Sequence, residues 1–199
     1  MTTKLQKIKD LARTHGLIRS RDLAAQRLPR VVLTRLVRKG LLTRVGRGLY
    51  AIPGRPVSEH GSLAEIGRKH PKAIVCLLSA LRVHELTSQA PFEVWLAIPN
   101  KARAPRMDYP PLHIVRFSGA ALVDGIEDHR IDGVTVRVTN VARTVADCFK
   151  YRNKIGLDVA LEALHEARRA KRVRMDDLHR YATLCRVANV MRPYLEGMA

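Results

Sequence analysis

The sequence lacks long apolar runs. None of its 199 residues belongs to an apolar stretch near the roughly 20 residues that a bilayer-spanning helix needs. The N-terminus is polar and basic, without the apolar stretch and small-residue cleavage site of a secretion signal. We therefore expect a cytoplasmic protein with no membrane partner.

Cysteine is also scarce. The three cysteines, Cys76, Cys148 and Cys185, are odd in number, far apart and set among apolar neighbours. Disulfide and zinc frameworks instead use paired cysteines at recognisable spacings. The sequence thus predicts reduced, buried thiols and no metal site.

Catalytic motifs that occur beside DNA-binding domains are missing. No lysine follows an acid by two residues, as the carboxylate-x-lysine pair of restriction-type nucleases requires. No two acids are spaced i, i+2, which a nucleotidyltransferase needs to hold Mg²⁺. Glycine loops for phosphates or dinucleotides, a zinc-protease helix and a serine nucleophile motif are absent as well. We predict no enzyme, no catalytic residue and no cofactor.

Acidic residues are rare in the first third of the chain. The first 57 residues hold 14 lysines or arginines but only two acids, Asp10 and Asp22, so +12 of the formal net charge of +18 lies there. A small basic domain at one end of a chain is typical of nucleic-acid binding.

Helical patterns organise this basic segment. Apolar spacing predicts a first helix over Lys4–His15, and Ser20 is a candidate N-cap for a second helix that ends near Gln26. Pro29 and Gly40 are placed to begin and end a third helix.

The third helix has two contrasting faces. At about 100° per residue, one arc is apolar and suited to packing: Val32, Leu33, Leu36 and Val37. The other side carries groups of the kinds that contact base edges and phosphates: Arg30, Val31, Thr34, Arg35 and Arg38. Taken alone, this pattern favours the solvated face of an amphipathic helix over a DNA contact, because a charged outer face is the commonest arrangement on such helices.

A hairpin pattern follows the third helix. Leu42–Val45 and Leu49–Ile52 favour strands, and the glycines of Gly46-Arg47-Gly48 permit the positive φ of a tight turn. Three short helices and a hairpin predict a winged helix-turn-helix domain over residues 1–55, with double-stranded DNA as its partner. The third helix would enter the major groove, and the wing would place Arg44 and Arg47 on the backbone or in the minor groove.

Beyond the turn-rich stretch at Pro53–Pro56, residues 58–199 predict a second domain. Strands are expected at Glu93–Ile98, Leu112–Phe117, Gly125–Ile131 and Val134–Val138, the last two joined by Asp132-Gly133. Helices are expected over residues 58–70, 141–151, 157–172 and 176–187, with a last turn at 191–195. Residues 72–86 are apolar enough for a buried helix, and an extended entry at 74–76 is left open. The predicted fold class is α+β, a winged helix-turn-helix followed by a mixed domain with a mostly antiparallel sheet and packed helices.

Three charged features of the second domain have competing interpretations. The basic loop Pro99–Pro111 is favoured as a solvated connection over a second nucleic-acid contact. Arg143 and Asp147, four residues apart on a helix, indicate a structural ion pair. The acidic ladder is interpreted first as a solvated face and second as a partner-binding strip: Asp158, Glu162 and Glu166.

Several motifs together resemble the AbiEi antitoxin family. They are Arg47-Gly48-Leu49-Tyr50 at the end of the winged domain, Cys76-Leu77-Leu78-Ser79-Ala80-Leu81 with His84 and Leu86-Thr87 behind it, Glu93-Val94-Trp95-Leu96-Ala97-Ile98-Pro99, Val115-Arg116-Phe117-Ser118, Ala142-Arg143-Thr144-Val145-Ala146-Asp147-Cys148-Phe149 and Met191-Arg192-Pro193-Tyr194. The similarity runs over nearly the whole chain.

The resemblance implies an antitoxin of a type IV toxin–antitoxin system linked to abortive phage infection. Such a protein represses its own promoter and opposes a nucleotidyltransferase-like toxin without forming a stable complex with it. The family's DNA-contacting elements, the third helix and the wing, correspond to Arg30, Thr34, Arg35, Arg38, Arg44 and Arg47. The alternative is a ligand- or partner-responsive winged-helix regulator unrelated to a toxin. Operator sequence, oligomeric state and the residues of antitoxicity do not follow from the sequence.

Overall fold

The computed structural model describes residues 6–8, 10–11, 17–46, 48–54, 60–89, 91–107 and 109–198. The chain forms two compact units, residues 1–71 with 129–136 and residues 72–128 with 137–199. The domain limits at residues 55 and 58 stay a prediction, because the chain between them lies outside the described residues.

The first unit combines short helices with a small antiparallel sheet. Residues 6–8 and 10–11 are helical and are the described part of α1; the rest of the helix predicted over Lys4–His15 lies outside the described residues. The other elements are β1 (Ile18–Arg19), α2 (Ser20–Ala25), α3 (Val31–Arg38), β2 (Thr43–Gly46), β3 (Leu49–Ala51) and α4 (Gly61–Lys69). The strand order is β1-β3-β2. The helix-turn-helix and the hairpin thus lie where the sequence predicts them.

The start of α2 differs from the prediction. The helix begins at Ser20 itself, and Arg19 occupies the N-cap position. The carboxylate of Asp22 accepts a hydrogen bond of 2.7 Å from the backbone N–H of Arg19, as the acid of a capping box does. The N-cap predicted at Ser20 is therefore wrong by one residue. Arg19 is the N-cap, and Asp22, three residues later, accepts the hydrogen bond from its backbone N–H.

An apolar core holds the winged domain together. It is formed by buried side chains from the helices, the connecting turns and β1: Ile8, Ile18, Leu23, Leu28, Leu33, Leu36 and Leu42. The apolar positions of α3 that the sequence assigns to packing belong to this core or pack against it. Burial of this kind supplies most of the favourable free energy of folding in a small domain.

The second unit is built on a sheet with helices, and the residues that end β7 and begin β8, 129–136, are grouped with the first unit. After β4 (Ile74–Val75) come α5 (Leu77–Val83), β5 (Val94–Pro99), β6 (Leu112–Phe117), a 3₁₀ turn (Gly119–Leu122), β7 (Ile126–Ile131) and β8 (Val134–Thr139). Helices α6 (Val141–Lys150), α7 (Arg152–Ile155), α8 (Leu157–Arg169), α9 (Met175–Leu184) and α10 (Ala188–Glu196) follow. The strand order is β6-β5-β4-β8-β7. The α+β class is confirmed.

The pairing of this sheet is mixed. Strand β4 pairs antiparallel with β5 but parallel with β8, and β5 pairs parallel with β6. The sequence favours mostly antiparallel pairing because the one turn signal between its predicted strands, Asp132-Gly133, is that of a hairpin. Both residues have positive φ in the structure. A parallel neighbour instead needs a connection of about a dozen residues, and such a connection carries no local turn signal.

Helix α6 lies at the centre of the second core. Its residues from Ala142 to Phe149 are all buried, and they share the core with side chains from α5, α8, α9 and α10. The helix starts at Asn140, whose side-chain oxygen accepts from the backbone N–H of Arg143 at 2.8 Å. The N-cap predicted at Asn140 is thereby confirmed.

Among the described residues, no helix has the length and apolarity that a membrane span requires.

Candidate nucleic-acid interface

The turn between α2 and α3 fixes how the third helix leaves the domain. Arg27 adopts a positive φ of 53°, and Leu28 donates its backbone N–H to the carbonyl of Leu23 at 2.9 Å. This 6→1 bond is the closure of a Schellman motif. Leu28 is buried by it, and Pro29 then leads into α3.

Helix α3 separates its buried and exposed residues as the sequence predicts. Leu33 and Leu36 are buried, and Val32 and Val37 pack against the same core. The residues assigned to DNA contact are all exposed on the outward side: Arg30, Val31, Thr34, Arg35 and Arg38. The structure therefore brings these five side chains together on one surface.

The outward surface of α3 carries uncompensated positive charge. The helix contains no acidic residue, and within the described ranges Arg30, Arg35 and Arg38 form no ion pair. Val31, with 51% of its surface exposed, adds an apolar group among these cations. Such a surface offers guanidinium groups for guanine edges or phosphates and a methyl contact for thymine.

The end of α3 leads directly into the wing. Gly40 has a φ of +66°, and the backbone N–H of Leu41 closes a second Schellman bond of 2.9 Å to the carbonyl of Leu36. A residue with a Cβ at position 40 would be strained in this left-handed conformation. The short turn places β2 immediately after the helix that would enter DNA.

The wing exposes Arg44, which the sequence predicts as a DNA contact, and Val45, whose exposure the sequence does not predict. Arg44 of β2 is exposed, and its Nε donates to the carbonyl of Gly46 at 3.3 Å. Val45 beside it is 41% exposed, although its β propensity indicated only that it belongs to a strand. Arg47 lies outside the described residues, so its position stays a prediction.

A polar cluster attaches α4 to the start of the helix-turn-helix. Arg68 donates from Nε to the carbonyl of Leu17 at 2.9 Å and from Nη2 to the carboxylate of Asp22. Arg19 donates to the backbone carbonyl of Arg68. Burial lowers the pKa of Arg19, and the neighbouring Arg68 charge lowers it further. The cluster involves no residue predicted to contact DNA and holds the elements that carry α3.

The second unit contains a fully buried ion pair. Nε of Arg143 lies 3.0 Å from Oδ2 of Asp147, and both side chains have 0% exposure. Arg143 also donates to the carbonyl of Asp124 at 2.9 Å, and Cys185 donates to Asp147 at 3.2 Å. With the carboxylate surrounded in this way by α6 and α9, the pair is structural, as the sequence predicts.

The three thiols are free and buried, which confirms the sequence prediction. Burial raises the pKa of Cys76 and of Cys148 well above 9.0. Burial also raises the pKa of Cys185 to about 12. Within the described ranges, no group of three or more His, Cys, Asp or Glu side chains is placed to hold a metal ion.

The acidic ladder on α8 is partly used within its own unit. Glu162 accepts hydrogen bonds from the hydroxyl of Thr87 and the backbone N–H of Ser88, at 3.4–3.5 Å. Glu166 pairs with Arg169 at 2.5 Å. Two members of the ladder therefore act in local contacts, and its role toward a partner stays a prediction.

Comparison with known proteins finds a family match within the first unit. The family model described as "Transcriptional regulator, AbiEi antitoxin" matches residues 6–53. The matched range takes in α2, α3 and both strands of the wing. No curated protein matches the chain significantly. The matched family is one of regulators rather than enzymes. Over its helix-turn-helix and wing, the chain is thus similar to the AbiEi antitoxin transcriptional regulators, which confirms the predicted resemblance for residues 6–53; for the rest of the chain the resemblance stays a prediction.

Proposed function

We propose that this protein is a DNA-binding antitoxin of a type IV toxin–antitoxin system that represses its own operon in the cytoplasm. The match to AbiEi transcriptional regulators supports this proposal. The observation that carries it is the exposed face of α3, where Arg30, Arg35 and Arg38 stand without acidic partners among the described residues.

We assign different tasks to the residues of this surface. Thr34, Arg35 and Val31 lie on the helix that would enter the major groove, where they would contact base edges and thymine methyl groups. Arg30 and Arg38 extend the same face by one turn in each direction and would also reach phosphates. Arg44 and Arg47 of the wing would bind the backbone or the minor groove.

Two arginine variants test this assignment on the protein's own promoter. If Arg35 contacts a base, Arg35→Ala should weaken operator binding by about 1–3 kcal/mol more than binding to a random duplex. Arg44→Ala should weaken both complexes to a similar extent and reduce the salt slope by about one. Footprinting first locates the operator, and salt-titrated anisotropy measurements then give both affinities.

The matched control is Arg174→Ala, which removes the same charge from a side chain that is 83% exposed in the second unit. It should leave operator binding close to that of the unchanged protein. Equal losses for Arg35→Ala and Arg44→Ala on both DNAs would refute the division of tasks. Losses no larger than those of the control would refute the interface itself.

We further propose that the protein opposes a nucleotidyltransferase-like toxin without forming a stable complex with it. Co-expression with the adjacent reading frame tests this role directly. Growth rescue, together with no co-purification of the two proteins, is the expected result. Failure of rescue by a protein that still binds its operator would instead favour the alternative, a ligand- or partner-responsive regulator unrelated to a toxin.

A further inference from the structure

The connection between β5 and β6 runs along the length of these strands. They pair in parallel, with Val94 opposite Leu112 and Pro99 opposite Phe117. Residues 100–111 must therefore return from one end of the strand pair to the other. Each of these six-residue strands spans about 17 Å at 3.3 Å per residue. Residues spaced through the loop are consequently distributed over the length of the strand pair.

Three exposed cations follow this path. Lys101, Arg103 and Arg106 are exposed, and they form no ion pair with any described residue. The loop contains one acid, Asp108, against these three basic residues. Its charge therefore matches a polyanion that extends along the strands.

A single arginine organises the first part of the loop. Nη1 of Arg116, on β6, lies within hydrogen-bond distance of three backbone carbonyls, those of Pro99 at 3.1 Å, Asn100 at 2.8 Å and Ala102 at 2.5 Å. These contacts order the loop before any ligand binds, which lowers the conformational entropy lost on binding.

Two exposed aromatic rings lie at the far end of the loop. Phe92 is 79% exposed and Tyr109 is 77% exposed. The backbone N–H of Val94 donates to the carbonyl of Pro111 at 2.9 Å. Phe92 lies two residues before Val94, and Tyr109 lies two residues before Pro111. Both rings are therefore at the same end of the β5–β6 pair. Exposed aromatic rings near exposed cations offer stacking surfaces to unpaired bases.

A small groove opens beside Phe92. It has a volume of about 240 Å³ and is lined by Leu78, Gln89, Pro91, Phe92, Glu93 and Trp95. The indole of Trp95 stacks on the ring of His113 at 3.7 Å, and Glu93 lies 3.1 Å from the same imidazole. The apolar walls suit a flat ring, and the Glu93 carboxylate and Gln89 amide can bond to the edge of a base.

We infer that the described loop residues 100–107 and 109–111, together with the groove beside Phe92, form a binding surface for single-stranded nucleic acid. Lys101, Arg103 and Arg106 would follow the phosphates, while Tyr109 and Phe92 would stack with bases at the end of the track. Cationic grooves with exposed aromatic rings are the usual means of binding unpaired strands. A duplex, whose bases are already stacked, makes no use of such rings. The surface shares no residue with α3 or the wing, so it is independent of the proposed operator contact.

Anisotropy titrations of the 199-residue chain test this surface. The probes are labelled 20-nucleotide oligo-dT and oligo-U, with a 20-base-pair random duplex as the reference. We expect Tyr109→Ala to weaken single-strand binding at least about fivefold, whereas Tyr109→Phe, which keeps the ring, should bind normally. The double variant Arg103→Ala/Arg106→Ala should lower the single-strand salt slope by about 1.4. A preference for oligo-U or oligo-dT identifies the type of strand.

Arg174→Ala again supplies a control in which one exposed charge is lost elsewhere in the second unit. All these side chains are exposed, and thermal unfolding midpoints close to that of the unchanged protein verify that each variant is folded. Duplex affinity of the Tyr109 and arginine variants should match that of the control. The inference is overturned if the loop variants bind both single strands like the control, or if they lose duplex and single-strand affinity equally.

Discussion

At the scale of single residues, the pair of Arg143 and Asp147 is costly to desolvate, and most but not all of its polar atoms have partners. The carboxylate accepts from Arg143 and Cys185, and the guanidinium lies 5.0 Å from the centre of the Phe117 ring. Nη2 of Arg143 is buried and has no hydrogen-bond partner among the described residues. A charge enclosed in this way depends on its counter-ion.

Asp147→Asn tests this dependence. The substitution preserves size but leaves the Arg143 charge buried without a counter-ion, which should reduce the free energy of unfolding by about 3–5 kcal/mol. Urea unfolding at neutral pH measures the change. Arg169→Gln removes one partner of the exposed Arg169–Glu166 pair and should cost less than about 1 kcal/mol. Similar losses for both variants would show that burial of the first pair carries no special penalty.

The candidate interface shows how far single residues can be predicted from sequence. Arg30, Thr34 and Arg38 were placed on one face because helical periodicity is a local property, and all three are exposed there. Val45 was missed because a lone valine in a β-prone run does not show which of its faces meets solvent. In the structure Leu42 and Leu49 of the same two β-prone runs are buried, whereas Val45 is exposed.

At the scale of elements, the attachment of α4 to the helix-turn-helix was hidden from the sequence. Arg68 contacts Leu17 and Asp22, which are 51 and 46 residues away in the sequence, and no short-range pattern indicates contacts of such separation. Strand β1 was missed for a related reason. Two residues are too few for an alternating pattern, and β1 exists because β3 offers it backbone partners.

A double-mutant cycle measures the contribution of this attachment. Asp22→Asn and Arg68→Met each remove one side of a charged hydrogen bond between side chains that are about 15% exposed. Because the two groups are in direct contact, we expect a coupling free energy of at least about 1 kcal/mol in urea unfolding. The pair of Lys69 and Glu65, on α4 alone, provides a reference cycle with the smaller coupling of an i, i+4 pair. Additive effects of the first two substitutions would contradict the attachment.

At the scale of the whole molecule, the two units differ in how well their folds could be anticipated. The winged domain is made of local elements, so caps, turns and periodicity were nearly sufficient. The sheet of the second unit depends on the parallel neighbours β5–β6 and β4–β8, which the chain joins through long connections. The sequence consequently favours a simple connection for the basic loop at residues 99–111, and the course of the loop over the length of the strands follows only from the parallel register.

The buried thiols predict how the stability of the whole protein depends on alkaline pH. In the unfolded chain the thiols lose their protons near pH 9, whereas burial raises the pKa of Cys185 to about 12 and those of Cys76 and Cys148 well above 9.0. The unfolded state then binds fewer protons than the folded state, so stability must fall as pH rises above 9. Each thiol should contribute about 1.4 kcal/mol per pH unit.

Urea unfolding between pH 8 and pH 11 measures this slope, and Cys185→Ala isolates one contributor. The variant loses the hydrogen bond to Asp147 and should be less stable at every pH, but its alkaline slope should be smaller by about 1.4 kcal/mol per pH unit. A slope unchanged by the substitution would mean that Cys185 ionises equally well in both states.

Because all three native cysteines are buried, the folded protein should not react with thiol reagents. A maleimide needs an accessible thiolate, and Cys76, Cys148 and Cys185 offer neither access nor ionisation while the second unit is closed. A cysteine introduced at Arg106 would consequently be labelled alone, giving a fluorescent reporter on the basic loop without removing any native residue from the core. The slow labelling rate of the three native cysteines would in turn measure how often the second unit opens.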